Sequence, residues 1–259
     1  MDNLLNVSII QSNLVWEDPE QNRLNFTLKI EAISNSVDII VLPEMFTSGF
    51  TMNPIAVAET MEGKTITWLK DLAKKKQAAI VGSLVIAAHD NYYNRLVFVH
   101  PNGLIDTYDK RHTFTLAGEH KVYKKGNEKL IINYKGFKIR PLICYDLRFP
   151  VWSRITEDYH VLLYVANWPK ARIHAWNTLL QARAIENMSY CIGVNRVGFD
   201  ANNYEYTGHS AIYDALGGTL SALKPSKEGI TSVTLNKEDL LATRSQLRFL
   251  EDADAFSLG

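Results

Sequence analysis

The feature that most constrains this chain is a set of short, apolar, β-branched runs, several of which stop at a chemically reactive residue. Val37-Asp38-Ile39-Ile40-Val41-Leu42 ends at Pro43-Glu44, Leu104 to Tyr108 ends at Asp109-Lys110, and Phe137 to Ile143 runs into Cys144. Similar runs at 7–11, 79–88, 95–99, 129–134, 161–166, 191–194, 211–213 and 230–235 predict further strands. Pro101-Asn102-Gly103 and Lys135-Gly136 predict hairpin turns, and Asp214 to Gly218 reads as another turn. Helical spacing falls between some strands: 20–34, with Leu24, Leu28, Ile30, Ala32 and Ile33 as its apolar face; 65–76; a broad stripe at 172–188; and a short stretch at 237–244. Strands joined by hairpins, alternating with strands joined by helices, imply α/β layers in which mixed sheets are covered by helices. No composition break or internal repeat divides the chain, so residues 1–259 are expected to form a single domain, with 251–259 an irregular tail.

Composition removes several classes of partner. The 28 basic and 28 acidic residues cancel, and a neutral chain lacks the positive field that nucleic acid or an anionic membrane surface requires. No window approaches the roughly 18–20 apolar residues of a membrane span. The N-terminal stretch lacks the basic and apolar regions of a secretion signal. Two cysteines make neither a disulfide scaffold nor a four-cysteine zinc site. These points lead to the expectation of a cytoplasmic protein whose partner is a small molecule. No G-x-G-x-x-G follows a strand, no phosphate-loop motif occurs, and the seven histidines form no H-E-x-x-H spacing, so neither cofactor nor metal is expected.

Cys144 ends a buried strand and opens a polar turn, a position where α/β enzymes keep nucleophiles. A neutral thiol needs a base and a positive charge before it attacks a carbon centre. Glu44 and Lys110, at two other strand ends, supply a carboxylate and an ammonium. Each also has a plainer reading: Glu44 as a helix-start acid, Lys110 as a solvated charge, and Cys144 as a packed thiol. Cys191, between apolar neighbours, reads as core. A histidine paired with Cys144 is the alternative base, although Glu44 and Lys110 already meet both needs; His112 and His120 near the lysine leave room for a minor binding or orienting role.

Leu42-Pro43-Glu44, Tyr108-Asp109-Lys110 and Cys144-Tyr145-Asp146-Leu147-Arg148-Phe149-Pro150, in this order, resemble the three signature segments of the nitrilase superfamily of carbon–nitrogen hydrolases. The likeness extends through Gly118-Glu119 to Gly126, Ala182-Arg183-Ala184-Ile185-Glu186-Asn187 and Val194-Asn195-Arg196. Lys110-Arg111-His112-Thr113-Phe114, Val151-Trp152-Ser153-Arg154 and Ala166-Asn167-Trp168-Pro169 are similar to the omega-amidase branch. The resemblance implies a four-layer α-β-β-α sandwich that pairs as a homodimer. It implies hydrolysis of a small α-keto acid amide, of the 2-oxoglutaramate or 2-oxosuccinamate type, through a thioester. Cys144 is then the nucleophile and Glu44 the base. Lys110 and the Tyr145 backbone N–H form the oxyanion hole, and Lys110 also favours the thiolate. Glu119 orients Lys110 or positions the substrate nitrogen. Arg148 is the candidate for the substrate carboxylate, with Lys170 and Arg172 behind it, and Trp168 and Phe46 for the pocket wall. Arg148 equally has a structural reading, paired with Asp146 or Glu186. Other branches, a nitrilase or a carbamoylase, share the reactive set, and a catalytically silent scaffold subunit would lack part of it.

Overall fold

The computed structural model describes residues 3–256. In chain order its elements are β1 (Leu4–Gln11), α1 (Pro19–Glu31), β2 (Ile39–Val41), α2 (Pro54–Val57), α3 (Lys64–Lys76), β3 (Ala79–Ala88), β4 (Asn91–Val99), β5 (Ile105–Asp109) and α4 (Glu119–Val122). They continue with β6 (Ile132–Tyr134), β7 (Phe137–Ile143), α5 (Pro150–Ser153), β8 (Val161–Ala166), α6 (Ile173–Glu186), β9 (Tyr190–Asn195), β10 (Val197–Phe199) and β11 (Glu205–Thr207). The last are β12 (Ala211–Tyr213), β13 (Thr219–Ala222), β14 (Gly229–Asn236) and α7 (Lys237–Leu247).

Two six-stranded sheets form the body, in the orders β14-β1-β2-β3-β4-β5 and β13-β12-β9-β8-β7-β6. Starting from β14 in one and from β6 in the other, neighbours in both sheets run antiparallel, parallel, parallel, antiparallel, antiparallel. The two halves therefore share one topology that no sequence repeat announces.

Period-two alternation decides what each strand buries. In the first sheet Leu5, Val7, Ile9, Ile39, Val41, Ala79 and Val81 join Ile139, Leu163 and Val165 of the second in one core between the sheets. The alternate residues Ile10, Ile40, Ile80 and Leu84 face the other way, onto Phe26 and Ile30 of α1 and Ile66, Leu69 and Ala73 of α3. Both faces are covered, so the central strands are mainly apolar, with buried polar residues such as Ser83 the exceptions. Trp176, Leu180 and Ala184 of α6 are buried with the second sheet. The result is the four-layer α-β-β-α sandwich with two mixed sheets.

Two local expectations are corrected, and one hairpin is added. The buried face of α1 is Asn22, Phe26 and Ile30, while Leu24 and Leu28 are exposed. Asn22 drives that rotation: its amide donates to the carbonyls of Val15, Asp18 and Thr47 and accepts from the Val15 N–H, bonds that only a buried side chain at this place can make. β4 begins at Asn91, because His89 and Asp90 both take positive φ (49° and 58°) and close a two-residue hairpin with β3. The β10–β11 hairpin was not anticipated at all, since strands of three residues carry too little alternation to read. Residues 251–256 are exposed and lack regular structure, and 257–259 of the expected tail lie outside the described residues. No helix among the described residues is long and apolar enough to cross a membrane.

Candidate active site

The C-terminal ends of β2, β5, β7 and β8 converge, and each delivers one polar residue. After β2 the Leu42 N–H still bonds Val81 of β3, and the chain then turns sharply at Met45, whose φ is +41°. This turn leaves Glu44 fully buried. Oε1 of Glu44 accepts from Asn94 Nδ2 (2.8 Å) and from Lys110 Nζ (2.9 Å). Oε2 accepts from the Asn167 backbone N–H at 2.7 Å, and the Asn167 side chain donates to the Glu44 carbonyl at 2.6 Å. Asn167 follows β8, so these bonds tie the ends of two topologically corresponding strands.

Lys110 is 1 % exposed. Its backbone N–H donates to Asn94 and its carbonyl accepts from Gly126, pinning the residue on both sides. Gly126 must lack a side chain, since a Cβ there would lie 2.2 Å from the Asp109 carbonyl oxygen. Nζ donates to both oxygens of Glu119 at 3.0 Å as well as to Glu44, and lies 5.1 Å from the centre of the Phe50 ring. Burial opposes the ammonium charge, but Glu119 and Glu44 outweigh it and hold the Lys110 pKa above its ordinary value. Glu119 is itself fully buried. Burial pushes its pKa up, Lys110 opposes this, and Glu44 adds to the rise. Its second anchor is the Phe114 backbone N–H.

Cys144 opens the 3-10 turn that follows β7, with φ at +44°. A non-glycine residue there carries strain of about 1–2 kcal/mol, which surrounding bonds must hold. Asp146 is the main clamp. It accepts from the Ile143 N–H, from both the N–H and Nδ1 of His112, and from the Tyr108 hydroxyl. Arg183 of α6, 3 % exposed, adds a bond to the Leu147 carbonyl at 2.6 Å. Burial and then the Glu44 charge raise the Cys144 pKa well above that of a free thiol, while Lys110 pulls it down by less. Lys110 thus favours the thiolate, as expected from the sequence, but burial and Glu44 outweigh it.

Cys144 and Lys110 open into a cavity of about 450 Å³. Its wall includes Tyr145, Arg148, Trp168 and Arg172 among the residues the sequence singled out. The Arg148 guanidinium sits 4.9 Å from the Trp168 ring, and that of Arg172 sits 5.0 Å from the Phe114 ring. Asp146 is occupied at the elbow and Glu186 pairs with Arg183, so Arg148 has neither of its two expected acidic partners. Lys170 pairs with Glu205 at 2.7 Å on the exposed rim. Phe46 is a correction. It is fully buried in the helix layer, edge-on to Phe26 at 5.6 Å and beside Trp68 at 6.0 Å. Gly82 of β3 makes the seat, since a Cβ there would lie 2.8 Å from the Phe46 ring. Phe50, four residues on, takes the wall position instead. Cys191 is fully buried, away from the cavity wall.

Sequence reasoning missed the neutral residues that hold the charged ones. Ser83 Oγ donates to Asn94 Oδ1 (2.8 Å) and accepts from the Met45 N–H (2.9 Å), so Asn94 is oriented with its amide hydrogens toward Glu44. Asn195 clamps Trp168 by accepting from its N–H (2.7 Å) and donating to its carbonyl (2.9 Å). The far wall, Asp200, Tyr204 and Tyr206 of the β10–β11 hairpin, was also missed.

A buried carboxylate–ammonium–carboxylate cluster beside a strained cysteine defines the class. Residues 6–245 match the carbon–nitrogen hydrolase family, and the chain belongs to it. It is 44% identical over 254 residues to the omega-amidase YafV of Yersinia enterocolitica, covering 98% of both chains. It is 33% identical over 251 residues to the 2-oxoglutaramate amidase of Bacillus subtilis, covering 95% of this chain and 96% of that one. Among solved structures it superposes with a TM-score of 0.96, at 39% identity and 99% coverage of both chains, on XC1258 of Xanthomonas campestris, a CN-hydrolase superfamily protein with an arsenic adduct in its active site.

Proposed function

We propose that this protein is an omega-amidase that hydrolyses the terminal amide of a small α-keto acid, of the 2-oxoglutaramate type, to the diacid and ammonia. One observation carries the substrate class: two guanidiniums, Arg148 and Arg172, line the cavity that holds Cys144, each lying on an aromatic face with no carboxylate among the described residues bound to it. Trp168 organises both. Its ring lies under Arg148, and its indole N–H donates to the Arg172 carbonyl at 2.8 Å. Two such forks suit a substrate that ends in a carboxylate. The full-length likeness to an omega-amidase and a 2-oxoglutaramate amidase supports the same reading.

The chemistry follows from the cluster. The thiol attacks the amide carbon as its proton passes to Glu44, whose Oε2 accepts from only one N–H. The carbonyl oxygen becomes an oxyanion beside Lys110 and the Tyr145 N–H. Glu119 chelates Nζ with both oxygens, a three-centre bond that one N–H can serve, so one ammonium hydrogen remains for the oxyanion. Glu44 then delivers its proton to the leaving ammonia, and afterwards takes one from the water that cleaves the thioester. Burial and the Glu44 charge, which hold the thiol's pKa up, favour attack and proton transfer in one step. Among the described residues no imidazole lines the cavity to take the role, and His112 is stacked on Phe149 and bound to Asp146.

Ammonia release from 2-oxoglutaramate, 2-oxosuccinamate, glutamine, aliphatic amides, nitriles and N-carbamoyl amino acids tests the proposal. Keto-acid amides should give the highest kcat/KM, and a profile led by nitriles or carbamoyl compounds would refute it. The proposal includes two expectations from the sequence, a cytoplasmic setting and a homodimer. Light scattering on the purified protein measures the second.

A further inference from the structure

Phe114 touches three parts of the site at once. Its ring supports the Arg172 guanidinium at 5.0 Å. The same ring meets the Tyr145 ring edge-on, with centroids 4.9 Å apart. Its backbone N–H donates to Glu119, which in turn grips Lys110. One half-buried residue thus contacts a carboxylate-binding cation, the residue that offers the oxyanion N–H, and the anchor of the oxyanion ammonium.

The Phe114 ring lines the cavity without a polar atom of its own, so its hold on the charged groups passes through these neighbours. A guanidinium has several rotamers of similar energy, and a π-face beneath it selects one. The Tyr145 ring is held from the other side by Phe149, at 5.0 Å, so its position follows from the two aromatic neighbours together.

We infer that Phe114 is a positioning residue that couples recognition of the substrate's carboxylate to the oxyanion site, so that amides carrying the acid are favoured in turnover as well as in binding. This rests on the omega-amidase reading. A carboxylate held by Arg172 restrains that guanidinium on the ring, and the restrained ring fixes the Tyr145 side chain and the Phe114 backbone that holds Glu119. A neutral amide engages only the reactive end and draws nothing from the link.

The test is a double-mutant cycle with Phe114→Leu and Arg172→Gln, assayed for kcat and KM on 2-oxoglutaramate and on pentanamide, an uncharged amide of equal chain length. Leucine keeps the backbone N–H to Glu119 and removes the π-face. The expected loss in kcat/KM for Phe114→Leu is about 10-fold greater on 2-oxoglutaramate than on pentanamide, as suits one cation–π contact. Part of it should fall in kcat. The double variant should lose no more than Arg172→Gln alone. Phe114→Tyr, which keeps the ring, should restore most of the preference. Equal losses on both substrates, or additive losses in the double variant, would overturn the coupling while leaving the activity assignment standing. A wild-type enzyme without preference for the acid-bearing amide would overturn both.

Discussion

Replacing Lys110 by methionine removes one charge from a buried cluster of three and nearly preserves its volume. Glu44 and Glu119 are both fully buried, and Nζ makes three contacts of 2.9–3.0 Å with them. Breaking a buried ion pair from one side costs about 3–5 kcal/mol. Asn94 and the Asn167 N–H still serve Glu44, and the Phe114 N–H still serves Glu119, so the lower end, about 3 kcal/mol, is expected near pH 8. The cost should depend on pH. With Lys110 gone, little beyond the Phe114 N–H opposes the burial and mutual repulsion that already raise Glu119. A carboxyl group whose folded pKa lies above the unfolded value of about 4.3 binds more protons in the folded state, so stability falls as pH rises from there to the folded pKa. Each unit of that rise is worth about 1.4 kcal/mol. Equilibrium urea unfolding at pH 5 and pH 8 reads both quantities. Lys110→Met should be markedly closer to wild type at pH 5, and adding Glu119→Gln should recover part of the loss at pH 8. Turnover should fall at least about 100-fold at either pH, as when an oxyanion donor is lost. A loss below about 1 kcal/mol at pH 8, or one independent of pH, would refute the picture of two carboxylates held in place by one ammonium.

Three other perturbations probe separate links. Glu44→Gln removes the charge that, after burial, most raises the Cys144 pKa; its thiolate absorbance near 240 nm should appear at lower pH than in wild type although turnover is lost, and an unchanged titration would count against the assigned electrostatics. Cys144→Ala should abolish ammonia release with an unchanged unfolding midpoint to within about 1 kcal/mol, whereas Cys191→Ala should keep activity and lose about 1 kcal/mol from the core; residual turnover in the first would sink the thioester route. Burial lowers the His160 pKa to about 4, and its Nδ1 accepts from the Lys138 N–H, so the folded ring stays neutral when the unfolded ring, near 6.5, has already charged. Stability from this group is present above pH 6.5 and lost as pH falls toward 4; His160→Gln should flatten that dependence, and a ring that titrates by NMR near 6.5 in the folded state would contradict it.

Glu44, Lys110 and Cys144 were legible because each breaks an apolar strand run, and the chemistry of a thiol demands one base and one cation. Their holders were not. Asn94 sits mid-strand, Ser83 looks like any polar interruption, and Asn167 reads as the start of a loop. The function of each depends on a partner more than ten residues away in sequence. Phe46 was misplaced because an aromatic residue two positions past Glu44 has no sequence mark of direction; the left-handed turn at Met45 sends it into the helix layer. The reversed face of α1 has the same origin. Exposed leucines outnumbered the one buried asparagine in the pattern, while the hydrogen bonds of Asn22 settled the rotation. Arg148 and Arg172 needed the structure, since an arginine near a signature segment pairs with acid as readily as it faces a cavity.

The matching topology of the two sheets also governs when the protein becomes chemically armed. Glu44 and Lys110 leave the ends of strands in the first sheet, and Glu119 follows that sheet's last hairpin, whereas Cys144 and Asn167 leave strands of the second. The thiol and the carboxylates therefore belong to different sheets, and packing of the two sheets brings them within reach. In chain order the acids of β1–β5 and the loop after them precede the cysteine, and β14, which completes the first sheet, comes after it. The reactive centre is thus a property of the packed pair of sheets, and neither sheet alone holds both the thiol and its base.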